Sequence, residues 1–267
     1  MASDFLITGL PRSGTTLLVA ALQQQRNVVA LAEPMDVAQM ATTSDEFLHQ
    51  TKTFMARTRL SILTNRSAQS VSDRGHTQGT NFIAPPAAGS ELRENRSTRR
   101  RMAIEKRLNS DFRLFVKHPA VFTAHAHRLQ SEFPLYAVVR NPVAVLASWQ
   151  TVDLPINRGQ LPMGEAHCAN LKERLGSVPD VLQRQVIILD WFLAVFSSFP
   201  ANKVIRYEDL IANLPKVVGE LAGSFTAPDF PIENLSMENR YPGVDFDRVH
   251  AALKPIRART RLFYAEH

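Results

Sequence analysis

Arg12 stands inside the stretch Phe5–Leu22, FLITGLPRSGTTLLVAAL, between two glycines spaced Gly9-x4-Gly14. A cation in a glycine-bracketed loop that runs into a helix former is suited to binding an anion. The loop amides and the helix N-terminus offer N–H donors, and the guanidinium adds charge. The glycine spacing is that of a nucleotide P-loop, which continues with Lys and then Ser or Thr. Here the pair is Thr15-Thr16, and the cation has moved to two residues before Gly14. A P-loop lysine clamps the outer phosphates of ATP, whereas Arg12 reaches a different atom. A second constellation lies in YAVVRNPVAVLASW, where Arg140 precedes Ser148 by eight residues, about two helical turns. A guanidinium gives bidentate, charge-assisted bonds to phosphate, and a serine hydroxyl adds a donor. Two further residues that could carry chemistry are Glu33, just past a strand-like run, and His118, whose imidazole is a natural proton acceptor near neutral pH.

These residues need a frame that brings them to one edge. Five short apolar runs read as strands: Phe5–Thr8, Asn27–Leu31, Phe112–Lys117, Leu135–Val139 and Lys203–Tyr207. Each is followed by a helical stretch, Thr15–Leu22 after the first and one opened by Pro142 after the fourth. The expected fold is α/β: a three-layer α/β/α P-loop-like fold with a central parallel sheet of about five strands, one domain over residues 1–267. In such a sheet, residues past the strands' carboxyl ends line one crevice. Arg12, Glu33, Lys117, His118, Arg140 and Tyr207 all fall there.

Two segments, about 41–111 and 151–178, break the pattern and are expected to shape an acceptor pocket. The first carries helical patches at Glu46–Leu63 and Leu92–Leu108 around a polar loop, Ser67–Ser90. Its run Arg93–Arg107 holds six arginines and a lysine. That run is either a solvated helical face paired with Glu91, Glu94 and Glu105, or a grip on an anionic acceptor or the nucleotide. The second segment reads as loop-rich. His125 and His127 read as surface histidines. Asp180 is expected to cap a core helix Val181–Phe199 bearing Trp191, Phe192 and Phe196, and Asp209 to cap the helix after the fifth strand. Ile256–Tyr264 reads as an amphipathic docking helix.

Apolar residues make up 45% of the chain and charged ones 21%, an ordinary balance for a soluble enzyme. A formal charge of +6 and a pI near 9.8 suit a polyanionic ligand, an acidic acceptor or a nucleic acid. The single cysteine, Cys168, allows no internal disulfide and no thiolate metal cluster. With a strand entered by residue 5 there is no room for a signal peptide, and Val186–Phe199 is too short to span a bilayer. A cytoplasmic protein is expected.

The run Pro11-Arg12-Ser13-Gly14-Thr15-Thr16 resembles the 5'-phosphosulfate loop of the sulfotransferase family, in the bacterial and tyrosylprotein branch that carries Arg rather than Lys. Arg140 followed by Ser148 resembles that family's 3'-phosphate element. The resemblance implies sulfuryl transfer from PAPS (3'-phosphoadenosine 5'-phosphosulfate), leaving PAP, to a hydroxyl or less often an amine. The acceptor would be a small molecule, a glycan or a peptide. It implies that Ser13, Gly14, Thr15 and Thr16 hold the 5'-phosphate and that Arg12 neutralises charge on the leaving oxygen. Glu33 or His118 takes the acceptor's proton, Lys117 bonds the sulfuryl oxygens, and Tyr207 of RYEDL lies near the adenine. A late basic segment often returns over the 3'-phosphate. Its glycine-containing pattern is missing here, which leaves Arg240 and Lys254 as candidates. No metal is required, because a transferring sulfuryl carries less charge than a phosphoryl. The rivals are a P-loop kinase or nucleotide hydrolase using ATP, and a non-catalytic nucleic-acid-binding protein. The first lacks the lysine at position 15 and gives Arg140 and Ser148 no task. The second lacks aromatic stacking clusters beside its basic residues.

Overall fold

The computed structural model describes residues 4–73, 81–86, 89, 91–231 and 241–264. Five strands form one wholly parallel sheet: β1 (Asp4–Gly9), β2 (Val28–Ala32), β7 (Arg113–Lys117), β8 (Leu135–Val139) and β9 (Val204–Arg206). Their spatial order is β2-β7-β1-β8-β9. The chain leaves β1 toward β2 on one side and leaves β8 toward β9 on the other. The connections therefore diverge between the neighbours β1 and β8, where an open α/β sheet forms its ligand crevice.

Alternation along the strands explains the two helical layers. Phe5, Ile7, Val28, Ala30, Phe115 and Val138 bury one face against α1 (Thr15–Gln23), α9 (Tyr207–Ala212) and α10 (Leu214–Ala222). Leu6, Val29, Leu31, Leu114, Val116, Leu135 and Val139 bury the other. That second face meets the larger layer, which includes α2 (Ser44–Asn65), α3 (Pro119–Ala124), α5 (Pro142–Gln150) and α8 (Val181–Phe196). Trp191, Phe192 and Phe196 pack in this layer, and Asp180 caps α8 by accepting the Gln183 N–H at 2.8 Å. Among the described residues no helix is long and apolar enough to cross a membrane.

The frame strands lie within a residue or two of their expected bounds. The segment between β2 and β7 does not match its reading. Leu92–Leu108 is not helical: it holds β5 (Arg93–Asn95) and β6 (Ser97–Ala103). Ser67–Ser90 is likewise not all loop, since it contains β3 (Ser67–Asp73) and β4 (Ile83–Pro86). β3 pairs antiparallel with β6 and β4 with β5. Ala68, Ser70 and Ser72 turn inward at alternate positions. This period-two signal is carried by side chains too small and polar to show in an apolar count. Ser70 Oγ accepts the Ala32 N–H at 3.0 Å, so the β3–β6 ribbon is docked on the end of β2.

Three further expectations change. Residues 151–178 contain α6 (Pro162–His167) and α7 (Ala169–Gly176) as well as loop. Asp209 is not an N-cap, because α9 starts at Tyr207 and Asp209 lies in its first turn. The last segment is a short turn Lys254–Ile256 and one helical turn Arg257–Thr260, not a continuous helix. His127 is exposed as expected, but His125 is buried. It lies at the end of α3, with Nδ1 2.9 Å from Ser44 Oγ and Nε2 3.0 Å from His167 Nδ1.

Candidate active site

The loop between β1 and α1 is tied from inside. Leu10 N–H donates to Val138 O at 3.1 Å, Trp149 Nε1 to Pro11 O at 2.8 Å, and Arg140 Nη1 to Arg12 O at 3.1 Å. Ser13 spends its amide on Leu10 O at 3.1 Å and its hydroxyl on Val138 O at 2.9 Å. Gly14 then turns the chain into α1 with φ +91°, a left-handed conformation that favours glycine. A Cβ built there would meet Tyr207 Cδ2 at 2.4 Å, so the tyrosine ring lies flush on the loop. The first N–H groups of a helix have no intrahelical acceptor. Leu18 bonds Gly14 O at 3.0 Å, which leaves the N–H groups of Gly14, Thr15, Thr16 and Leu17 without an intrahelical acceptor at this end. Of the four expected phosphate-loop residues, Ser13 therefore acts on the loop's own shape.

Arg12 has φ +69°, an uncommon conformation for a residue with a side chain. Its Nη2 donates to Asn81 Oδ1 at 3.1 Å, while its Nε is buried with no partner. Burial, then the charges of Arg93 and Arg140, pull its guanidinium down to about 10 against partial support from Tyr241 and Tyr207. Arg140 is 8% exposed at the carboxyl end of β8, its guanidinium 4.6 Å from the Tyr207 ring and 5.8 Å from the Tyr241 ring. Among the described residues neither Arg12 nor Arg140 has a carboxylate within ion-pair distance. α5 follows at once because Asn141 caps it, accepting from Val143 N at 2.9 Å and Ala144 N at 3.3 Å. Two turns along α5, Ser148 is fully buried, with its Oγ 3.4 Å from Arg93 Nη2.

A second group gathers at the ends of β2 and β7. Glu33, at φ +45°, donates its N–H to Lys117 O at 2.8 Å, and Lys117 Nζ donates to Glu33 Oε1 at 2.6 Å. Burial alone raises the Glu33 carboxyl. Lys117 outweighs it, helped by His118 and Arg99, and holds the carboxyl below the usual range. His118 is buried, and its Nε2 accepts the Met35 N–H at 3.1 Å. Burial, opposed only by Glu33, pushes the imidazole down to about 3. Arg99 of β6 reaches this group from the ribbon, 3.8 Å from Asp36.

The structure thus brings Arg12, Gly14–Thr16, Arg140, Ser148 and Tyr207 to one crevice, with Glu33, Lys117 and His118 beside one another on neighbouring strands. Lys254 is exposed on a turn packed against the C-terminal helices. Arg240 lies outside the described residues. Sequence reasoning missed Asn141, Tyr241 and the separate placement of Arg93 from the rest of its basic run. Only Asn141, an Asn before Pro at a helix start, carried a local signal. Among the described residues no group of three His, Cys, Asp or Glu is placed to hold a metal ion.

A family model described as "Sulfotransferase family" matches residues 4–228. Solved structures similar to this chain include a sulfotransferase from Alicyclobacillus acidocaldarius, at 16% identity and a TM-score of 0.47, covering 100% of this chain and 97% of that one. Another is a Mycobacterium avium sulfotransferase, at 14% identity and a TM-score of 0.41, covering 96% and 76%. A third is the sulfotransferase domain of the Synechococcus PCC 7002 olefin synthase, at 14% identity and a TM-score of 0.40, covering 94% and 86%. Among curated proteins none matches.

Proposed function

This chain belongs to the sulfotransferase family, and we propose that it moves a sulfuryl group from PAPS to an acceptor hydroxyl, with Glu33 as the base. The observation that carries the reading is the pairing of Arg12 and Arg140. Two guanidinia converge on a helix N-terminus without a carboxylate partner among the described residues, and Arg12 Nε is buried unbonded. Buried cations without counter-ions are costly unless an anionic ligand supplies the charge. The residues present fit a nucleotide with anionic groups at both ends. The N–H groups of Gly14, Thr15 and Thr16 hold the 5'-phosphate, Arg140 and Ser148 the 3'-phosphate, and Tyr207 flanks the nucleotide.

In the transfer, the bond from sulfur to the bridging phosphate oxygen breaks as a bond from sulfur to the acceptor oxygen forms. Arg12 neutralises charge growing on the departing oxygen, and Lys117 steadies the sulfuryl oxygens. Glu33 takes the hydroxyl proton, so the products are PAP, a sulfate ester and a protonated carboxyl. The lone pair of His118 Nε2 is already committed to Met35, which favours Glu33 over His118 as base. No divalent ion is needed for this chemistry.

Calorimetric titration with PAP, ATP and ADP in metal-free buffer tests the reading, on wild type and on Arg140→Ala. The expected result is a preference for PAP that Arg140→Ala removes. Indifference to the 3'-phosphate, or tighter ATP binding with magnesium, would overturn it in favour of a kinase.

A further inference from the structure

Arg93 comes from β5, outside the five-stranded sheet whose strand ends carry Arg12 and Arg140. Its backbone is pinned to the segment after α5. The N–H donates to Thr151 O at 3.0 Å, and the carbonyl accepts from Asp153 N at 2.9 Å. This bridge to Val152 aims the side chain at the end of α5. There Arg93 Nη2 donates to Thr151 Oγ1 at 2.7 Å and comes within 3.4 Å of Ser148 Oγ. Its guanidinium lies 5.3 Å from the Tyr241 ring, the same ring that Arg140 approaches to 5.8 Å. Two guanidinia from unrelated elements therefore converge on one aromatic ring, and that of Arg93 also reaches Ser148. Their mutual repulsion is relieved when an anion binds between them, and two cations match the charge of a phosphate monoester.

We propose that Arg93 is a ligand of the nucleotide's 3'-phosphate, completing a site with Arg140 and Ser148. This rests on the PAPS reading above. The 41–111 segment is then part of the donor site as well as a border of the acceptor region. It reaches the crevice twice, through Arg93 of β5 at Ser148 and through Asn81, just before β4, at Arg12. Nucleotide binding and docking of this segment are consequently coupled.

The test compares adenosine 3',5'-bisphosphate with adenosine 5'-phosphate, which differ only in the 3'-phosphate. Affinities are measured by calorimetry on wild type, Arg93→Gln and Arg93→Lys. Wild type prefers the bisphosphate. Arg93→Gln loses at least about tenfold of that preference while keeping its affinity for the monophosphate, and Arg93→Lys keeps more of it than Arg93→Gln. A wild type that does not discriminate defeats the PAPS reading itself. A wild type that discriminates, with Arg93→Gln discriminating equally, overturns the role of Arg93 and leaves the site to Arg140 and Ser148. If the variants fail to fold, wild-type protein decides the matter. Bisphosphate, but not monophosphate, protects Arg93 from an arginine-specific dicarbonyl reagent, read by peptide mass spectrometry. Equal modification with both ligands overturns the proposal.

Discussion

Lys117 Nζ meets Glu33 Oε1 at 2.6 Å across the ends of two adjacent strands, and the two side chains differ sharply in exposure, 4% against 43%. The pairing follows from register. Ala32 of β2 lies opposite Lys117 of β7, so Glu33, one residue on, is within reach of the ammonium. A pair this exposed on one side contributes little to stability. Its effect is positional: the lysine holds a carboxylate at the crevice, ionised and able to exchange its partner for a ligand proton.

The first prediction concerns this pair. Glu33→Gln lowers sulfuryl transfer by roughly 10²–10⁴-fold, the usual worth of a positioned base, and leaves PAP affinity unchanged. The wild-type rate falls on the acid side only below the ordinary carboxylate range, because the Glu33 carboxyl is held down. Lys117→Met removes the strongest opposing charge, so the acid limb moves to higher pH. PAP release followed against pH reads both effects, and near-wild-type rates in Glu33→Gln remove it from the role.

His118 and His125 contribute to the acid stability. Burial leads in both, pushing the first to about 3 and the second to about 4, both below the ordinary 6.5. The unfolded chain therefore binds more protons between those values, so unfolding free energy rises with pH through that window. Stability is full above about 6.5 and is lost as pH falls, by up to about 1.4 kcal/mol per pH unit for each histidine. His118→Gln keeps an acceptor for the Met35 N–H and removes one titrating group, so urea midpoints depend less steeply on pH than in wild type. An unchanged slope would place the acid sensitivity elsewhere.

Glu208 ties the C-terminus to the site. One carboxylate oxygen accepts the Asn141 N–H at 3.0 Å and the other accepts the Tyr264 hydroxyl at 2.7 Å. Burial, then Glu208, pushes the Tyr264 hydroxyl's ionisation above its ordinary value, so it stays a donor at all working pH. Tyr264→Phe removes a hydrogen bond to a half-buried carboxylate and is expected to cost about 1 kcal/mol or somewhat more in urea unfolding. Loss of the last residues by limited proteolysis gives the same destabilisation if this bond is what docks them.

The frame was legible because its residues obey strong local rules. Unbroken apolar runs mark β1, β2, β7 and β8, and the glycine loop and the Arg140–Ser148 spacing each belong to one strand–helix junction. What was illegible depends on distant pairing. The arginines of β6 look like a charged helical face until Ser67–Asp73, about thirty residues earlier, is paired with them. Arg93 takes its place from a single bridge to Val152, and His125 is buried by Phe47 and His167 from other elements. No periodicity within any of these segments encodes those contacts.

Gly14 and Tyr207 give the last prediction. Gly14→Ala meets two separate obstacles: a left-handed φ of +91°, and a ring carbon 2.4 Å from the new methyl. The backbone part alone costs about 1–2 kcal/mol, and the clash adds to it unless the tyrosine moves. Moving the ring disturbs the face over which Arg140 lies at 4.6 Å, so PAP binding weakens along with stability. Tyr207→Ala removes the clash but also the cation–π contact, worth about 0.5–2 kcal/mol. The double variant should therefore be more stable than the sum of the two single losses predicts, since the clash exists only when both side chains are present. Thermal unfolding of the four proteins measures this coupling. Strict additivity would mean that the ring does not rest on the loop, and would remove Tyr207 from the crevice.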